Sequence, residues 1–483
     1  MKSKLSFILF VLCALLALSA CQTTQAPDPA PVESLPEAEE PEAPAPEPET
    51  PAEPAIDPAL SQRERDWIED IEYLREGLKE GHMDPFYVCS EEELDFMMDR
   101  LIAQVGQLSD ADIAFEINAV IAAMGDVHSW VQPYAPLYER WFPVSAAYFG
   151  DKLYLTNYLE GYEQFAPYLL HEIVAVNGID IAYLNQKAAK IANPYNQWAV
   201  KELWFPTYYF VPAFYDWAGC DYMEGYTFQI LNDNQEVESI EVPTVTAGER
   251  KDVKRIYPEN WDQLFYKKGG EWTEYFEGEN GGFVYMSLST LLSESTLKYL
   301  VEDTAKLLEE HPECGKLVVD LRQNSGGNLA QVAPLPENVE SLRTEQTYVL
   351  TSGNTGSAAI TLMAFFKNEL DAVFVGEPTA QFTSFFHFSS SINQPLVLPH
   401  SQISIALSDC WWDHEEHEEE VGSAWGWDEW EPIAEEYYDA DGKLYPWENT
   451  ILPDVYIHQD IEDVRQGKDS VIEWVLAQQE NIK

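Results

Sequence analysis

Residues 316–328 read KLVVDLRQNSGGN. The apolar run of Leu317, Val318 and Val319 has the character of a buried strand. It ends in Asp320, Leu321 and Arg322, then breaks into Asn324, Ser325, Gly326 and Gly327. A strand can stop with far less equipment, so the break itself is the signal. On both sides of it, from about residue 281, strand and helix patterns alternate. FVYMSL precedes an amphipathic segment at about 294–310, and KLVVDL precedes a turn and a helix. TYVL then leads to a helix from about Ser357 to Asn368, and AVFVGEPT follows. That alternation predicts an α/β unit with a largely parallel sheet and helical crossovers, in which chemistry gathers at the carboxyl ends of the strands. Gly326 and Gly327 fall at such an end, where the missing Cβ atoms let backbone N–H groups approach a ligand oxygen. An ordinary tight βα turn is the plainer alternative.

Thirty residues on, TSGNTGSAAI places Ser357 after a strand and a Gly-rich turn, at the first turn of a helix. A hydroxyl there sits near the positive end of the helix dipole, and the N–H of Ala358 can face a developing oxyanion. An N-cap serine is the commoner role for such a residue. No G-x-S-x-G is present, so the segment does not have the nucleophile-elbow pattern.

Upstream, residues 141–265 have the texture of a small β-rich module. KLYLTNYL and HEIVAVNGIDI read as strands with an Asn177-Gly178 turn, and YTFQILNDNQEVESIEV reads as a hairpin. LLHEIVAVNGIDI resembles the signature of a PDZ-like domain, a module that captures peptides by strand addition. Residues 59–140 read as helices. Ser61 with Glu64, Ser90 with Glu93 and Ser109 with Asp112 are capping-box patterns. Each precedes an apolar stripe at helical spacing: Trp67, Ile71, Leu74 and Leu78; then Leu94, Met97, Leu101 and Val105; then Ile113, Ile117, Val120 and Met124. Gly125 marks the end of the third helix. GDVHSWV follows, placing His128 just past it between Asp126 and Ser129. A lone histidine there is ordinarily a packing or surface residue.

The first twenty residues carry two lysines and then an apolar run of signal-peptide length. Leu18, Ser19 and Ala20 before Cys21 resemble a bacterial lipobox, which implies cleavage before Cys21, lipidation of its thiol and a lipid-anchored, extracytoplasmic place at the membrane of the cell envelope. No later apolar run is long enough to span a bilayer. Residues 22–58 contain Pro, Glu and Ala in abundance and no Lys or Arg, a composition that cannot bury a core and reads as a disordered tether within 21–58. The 483 residues carry 84 acidic and 28 basic side chains, for a net charge of −56. That field repels phosphate backbones and argues against a nucleic-acid partner. Cys89, Cys220, Cys314 and Cys410 are too widely spaced to show a metal pattern or a disulfide connectivity.

Several segments together carry a family resemblance. HMDPFYVCSEEELDFMMDRLIAQVGQLSDADIAFEINAVIAAMGDVHSWV, VVDLRQNSGGN, NTGSAAI, VFVGEPT and LPDVYIHQDIEDVRQGKDSVIEWVLAQ look like the tail-specific (C-terminal processing) serine protease family, especially its tricorn-core-like branch. The resemblance covers most of residues 60–483. It implies a crotonase-like ββα core, joined to the N-terminal helical subdomain and the PDZ-like module, over residues 266–483. It implies Ser357 as nucleophile, with the backbone of Gly326 and Ala358 as the oxyanion hole. Where the Ser–Lys members of the family have their lysine, this chain has Phe382. GDVHSWV is instead similar to the G-D-x-H-T segment of the tricorn-like branch, which makes His128 the general base. Two carboxylates compete to orient its imidazole: Glu448, in WENTILPD, which resembles the family's E-N-x-G-V-x-P-D stretch and is favoured, and Glu377 of the G-E-P-T turn.

The chain departs from the family pattern at Ala380-Gln381 and Thr450-Ile451, and in an acidic, Trp-rich insertion at about 410–442. In that insertion His414 and His417 are spaced H-E-E-H rather than H-E-x-x-H, and Asp439 and Asp441 lack the rest of a calcium loop, so no metal site and no cofactor is expected. Two functions remain open. One is a serine endopeptidase acting on peptides or proteins through an acyl-enzyme. The other is a non-catalytic relative that binds peptides or apolar ligands.

Overall fold

A computed structural model describes residues 60–204, 211–220, 225–261, 270–278, 282–291, 294–328, 339–382, 385–388, 395–412 and 450–478. The first helices are α1 (Gln62–Gly81), α2 (Glu91–Ile102) and α3 (Asp110–Ala123). Each begins at a reciprocal capping box, made by Ser61 with Glu64, Ser90 with Glu93 and Ser109 with Asp112. These boxes satisfy N–H groups that the first helical turn leaves unpaired. The buried stripe of α2 runs through Leu94, Met98 and Leu101 rather than through Met97. At the end of α3, Gly125 takes φ +74°, a conformation that glycine adopts without strain, and the chain turns sharply there.

The strands Val144–Phe149, Lys152–Leu159, Glu172–Val176, Tyr226–Leu231, Val237–Val242 and Arg255–Ile256 join in one antiparallel sheet with a short strand at Ile179–Asp180. One continuous core joins this sheet to the three helices and to residues 398–407. The late segment is pinned early: Asp70 of α1 accepts the backbone N–H groups of His400 and Ser401, both at 2.8 Å. In addition, Trp130–Val131 pairs with Ser404–Ala406. The turn bearing His128 is therefore held from two sides.

The second sheet contains β1 (Trp272–Phe276), β2 (Phe283–Ser287), β3 (Lys316–Asp320), β4 (Gln346–Thr351), β5 (Val373–Gly376) and β6 (Val455–Tyr456), in that spatial order. Only β1 is antiparallel to its neighbour; β2 to β6 are parallel. Alternation along the strands decides what each face meets. Leu317 and Val319 turn to the face covered by α4 (Glu294–Glu310) and α5 (Ala358–Leu370). Val318, Tyr348 and Val375 turn to the other, where Val471, Ile472 and Val475 of α6 (Ser470–Ala477) pack. The helix expected after the Gly-Gly turn falls on residues 329–338, outside the described residues.

Two expectations are corrected here. The crotonase-like ββα core is not what these strands build: they form one open sheet with edges at β1 and β6 and helices on both faces. Alternating strand and helix patterns specify local order, whereas the way strands join depends on contacts far apart in the chain. The membrane attachment is corrected as well, because among the described residues no helix is long and apolar enough to cross a membrane. The apolar helices α3 and α5 have 14 and 13 residues, against the roughly 20 that a span requires. The membrane partner, the lipid anchor and the lipid-anchored envelope location are withdrawn. Cys21 lies outside the described residues.

Candidate active site

The end of β3 answers the question raised by its sequence. Asp320 and Arg322 are buried, and Arg322 forms a bidentate pair with Asp469, with both N–H···O distances 2.9 Å. Arg322 also donates to Asp320, at 3.0 Å from Nε and 2.6 Å from the terminal nitrogen, and Tyr285 donates its hydroxyl to the same aspartate. Burial alone would lower the Arg322 pKa, but the two carboxylates outweigh it and hold the guanidinium well above its ordinary value. Asp469 also caps α6 through the N–H groups of Val471 and Ile472. The network thus ties the strand end to the last helix. Asp469→Ala is expected to destabilise the fold by about 3–5 kcal/mol, the usual consequence of leaving a buried charge short of its partner; urea unfolding measures it.

Beyond Arg322 the chain doubles back against the turn that carries Ser357. Ser352 Oγ donates to the Arg322 carbonyl and Thr355 Oγ1 to the Leu321 carbonyl, both at 2.9 Å, while Gly356 N–H donates to the Asn324 carbonyl at 3.2 Å. Ser357 itself has φ 52° and ψ −130°, a conformation that L-residues rarely adopt and that carries strain. The strained strand–turn–helix geometry of a nucleophile elbow is therefore present without its G-x-S-x-G spelling. No signal in the sequence pattern revealed it.

His128 and Ser357, 229 positions apart, meet with Nε2 at 2.9 Å from Oγ. The His128 ring stacks on Phe385, with centroids 5.4 Å apart and an 18° tilt, and meets Phe388 edge-on. Phe385 belongs to the short strand Phe385–His387, which pairs with Cys410–Trp412. His128 keeps some solvent access, yet its packing is dense enough that burial lowers its pKa, and nearby His387 pushes the same way. The Asp126 charge and the Phe386 backbone oppose them without winning. The ring is therefore neutral at pH 7, the form that can accept a proton. Its Nδ1 is buried and makes no hydrogen bond. The Phe386 backbone favours the charged ring electrostatically without completing a bond to that nitrogen.

The expected oxyanion donors are in different states. The Gly326 N–H donates to Asn324 Oδ1 at 2.9 Å, so it is engaged within its own turn. Ala358 is the first residue of α5, where a backbone N–H has no helical acceptor. Glu448 lies outside the described residues. Its competitor Glu377 is directed elsewhere: it lines a cavity of about 200 Å³ with Lys201, Glu202, Arg322, Gln323 and Asn354. Burial, and then the charge and hydrogen bond of Glu202, raise the Glu377 pKa well above its ordinary 4.5, against the pull of Lys201. A carboxyl with a raised folded-state pKa contributes stability below the ordinary value and loses it as pH rises toward the folded one. Melting temperature is accordingly expected to fall with rising pH above about 4.5, and Glu377→Gln to remove that part of the slope in a pH series of thermal melts.

Among the described residues no group of three or more His, Cys, Asp or Glu side chains is placed to hold a metal ion. His414, His417, Asp439 and Asp441 lie outside them. Among the described residues, Cys89, Cys220, Cys314 and Cys410 form no disulfide with one another.

A parallel sheet thus presents a strained serine at a helix start, and a histidine reaches it from the turn that follows the N-terminal helices. In fold the chain is similar to solved serine-protease structures that cover most of its length. The particular likeness is to CPAF. The structure of mature CPAF complexed with lactacystin matches with a TM-score of 0.55 at 10% identity, over 86% of this chain and 97% of that one. Mature CPAF alone gives 0.55 at 10% identity over 86% and 96%, and a CPAF S499A mutant gives 0.53 at 10% identity over the same shares. This likeness replaces the crotonase-like core expected from the sequence. No protein-family model matches the sequence, and no curated protein matches it.

Proposed function

We propose that this protein is a serine endopeptidase in which Ser357 attacks a peptide carbonyl and His128 is the general base. The single observation that carries the reading is the 2.9 Å contact between His128 Nε2 and Ser357 Oγ, made by a neutral imidazole and a hydroxyl on a strained turn. His128 takes the hydroxyl proton as the bond to the carbonyl carbon forms, then returns it to the leaving amine, leaving an acyl-enzyme that water cleaves. Ala358 N–H, at the positive end of α5, stabilises the oxyanion. Gly326 N–H is its partner donor once it exchanges Asn324 Oδ1 for the oxyanion. Glu448 is the group assigned to the unpaired Nδ1 of His128, on the strength of its family-like motif.

The substrate is a peptide or an unfolded protein segment. Lactacystin, held by the CPAF structure, is the first small ligand to try at the same serine. A fluorophosphonate reagent tests the proposal: it is expected to label Ser357, located by peptide mass spectrometry, and to leave Ser357→Ala unlabelled. Equal labelling of both proteins at another residue removes Ser357 from the role. If cleavage fails with several peptides across a pH range, the non-catalytic binder becomes the better reading.

A further inference from the structure

The mechanism above makes no use of His82 and Asp126, a buried pair of ionisable side chains beside the general base. Their side chains are 0% and 1% exposed, and His82 Nε2 lies 3.1 Å from Asp126 Oδ2. The backbone N–H of Asp84 donates to His82 Nδ1 at 3.1 Å. That nitrogen is therefore an acceptor, and the proton of the neutral ring sits on Nε2 and is donated to Asp126. The other carboxylate oxygen, Asp126 Oδ1, accepts the backbone N–H of His128 at 2.8 Å. The hydroxyls of Ser129 and Ser408 help to keep Asp126 charged. Ser408 N–H donates to Ser129 Oγ at 3.0 Å, and Met83 N–H donates to the Ser408 carbonyl at 2.9 Å. Three distant segments thus close around one carboxylate.

A buried carboxyl without donors sheds its charge by binding a proton. Asp126 does the reverse: burial pushes its pKa up, but the His82 hydrogen bond, the charge of His128 and the two serine hydroxyls outweigh burial and lower it. We infer that Asp126, held ionised by His82, is a positioning residue for His128: it fixes the turn through the His128 N–H and stabilises the imidazolium formed when His128 takes the Ser357 proton. The inference rests on the reading of His128 as the base. Among the described residues, the other groups facing His128 are Ser357 at the start of α5, Phe385, the Phe386 backbone and His387 from the short strand, and Phe388. Among the described residues, Asp126 is the carboxylate whose charge acts on the ring.

The test uses the full chain carrying Ser357→Ala, so that turnover is not needed. Histidine is labelled with 15N and 13C, and His128 and His82 are assigned through His128→Gln and His82→Gln. Two results are expected. His82 shows the Nε2-protonated tautomer, and Asp126→Asn moves the His128 titration down by about one pH unit or more, the usual effect of losing a nearby opposite charge. A carboxylate of merely structural value would lower the melting temperature and leave that titration in place, and this result overturns the inference. Should Asp126→Asn fail to fold, the His82 tautomer in the otherwise unaltered protein still decides, since a proton on Nδ1 is incompatible with the proposed contact. If the His128 shift is seen while the chain with Ser357 intact resists fluorophosphonate, the positioning contact stands and the protease reading falls.

Discussion

Ser357→Ala and His128→Ala are each expected to lower peptide-bond cleavage on the order of a million-fold, with the double variant little worse than either alone. The reason is that the two side chains act as one unit. Without Oγ there is nothing for His128 to deprotonate; without the imidazole the hydroxyl stays a weak nucleophile at neutral pH. Energies of residues acting as a unit do not add. Both variants should remain folded, because the neighbouring hydrogen bonds of Ser352, Thr355 and Gly356 involve neither side chain. Circular dichroism and thermal melts establish that before the assay, which follows cleavage of a denatured protein. Full additivity of the two losses in logarithmic terms would contradict a shared step. The pH dependence gives a second check. Since burial holds the His128 pKa below its ordinary 6.5, cleavage should lose half its kcat/KM only below pH 6.5.

Gly326→Ala is the other large effect, expected to cost on the order of 100-fold in kcat. Gly326 has φ +105°, and a Cβ added there falls 2.4 Å from Ser357 Cβ and 2.9 Å from the Gly356 carbonyl oxygen. No real Cβ tolerates such contacts, so either the glycine turn or the nucleophile has to move. A displacement of either one separates the hydroxyl from the oxyanion donor. Single-turnover acylation compared with substrate affinity distinguishes this from a general loss of fold: kcat should fall much more than KM rises. An unchanged acylation rate would show that the turn is not part of the site.

How much of this was legible beforehand varied with the length scale of the cause. The capping boxes and the buried stripes of α1 and α3 were visible because helix starts and helix faces are set by residues three and four apart. The strands at 316–320 and 346–351 were visible because burial on both faces leaves a continuous apolar run. The proposed pairing of Ser357 with His128 came from a family resemblance, not from spacing, since nothing local connects residues so far apart. Several features stayed hidden. The backbone strain at Ser357 depends on the turn packed beneath it rather than on its neighbours' identities. Asn324 captures the Gly326 N–H only because the turn folds back on itself. The place of Glu377 beside Glu202 depends on how two sheets meet, which removed it as an orienter of His128.

By itself, the sequence determined the secondary-structure order, the acidic charge and the positions at which a glycine turn and a serine follow strand ends. These are consequences of local backbone preference and of side-chain composition. The tertiary structure alone decided that the strands form one open sheet instead of a crotonase-like core, that His128 Nε2 reaches Ser357 Oγ, and that Arg322 is clamped between Asp320 and Asp469. It also decided that the His82 and Asp126 side chains, set on separate turns, close into one buried pair. Each of these is a contact between groups distant in the chain. Their free energy becomes available only after the core has brought the segments together, and no local pattern of residues encodes which of them will meet.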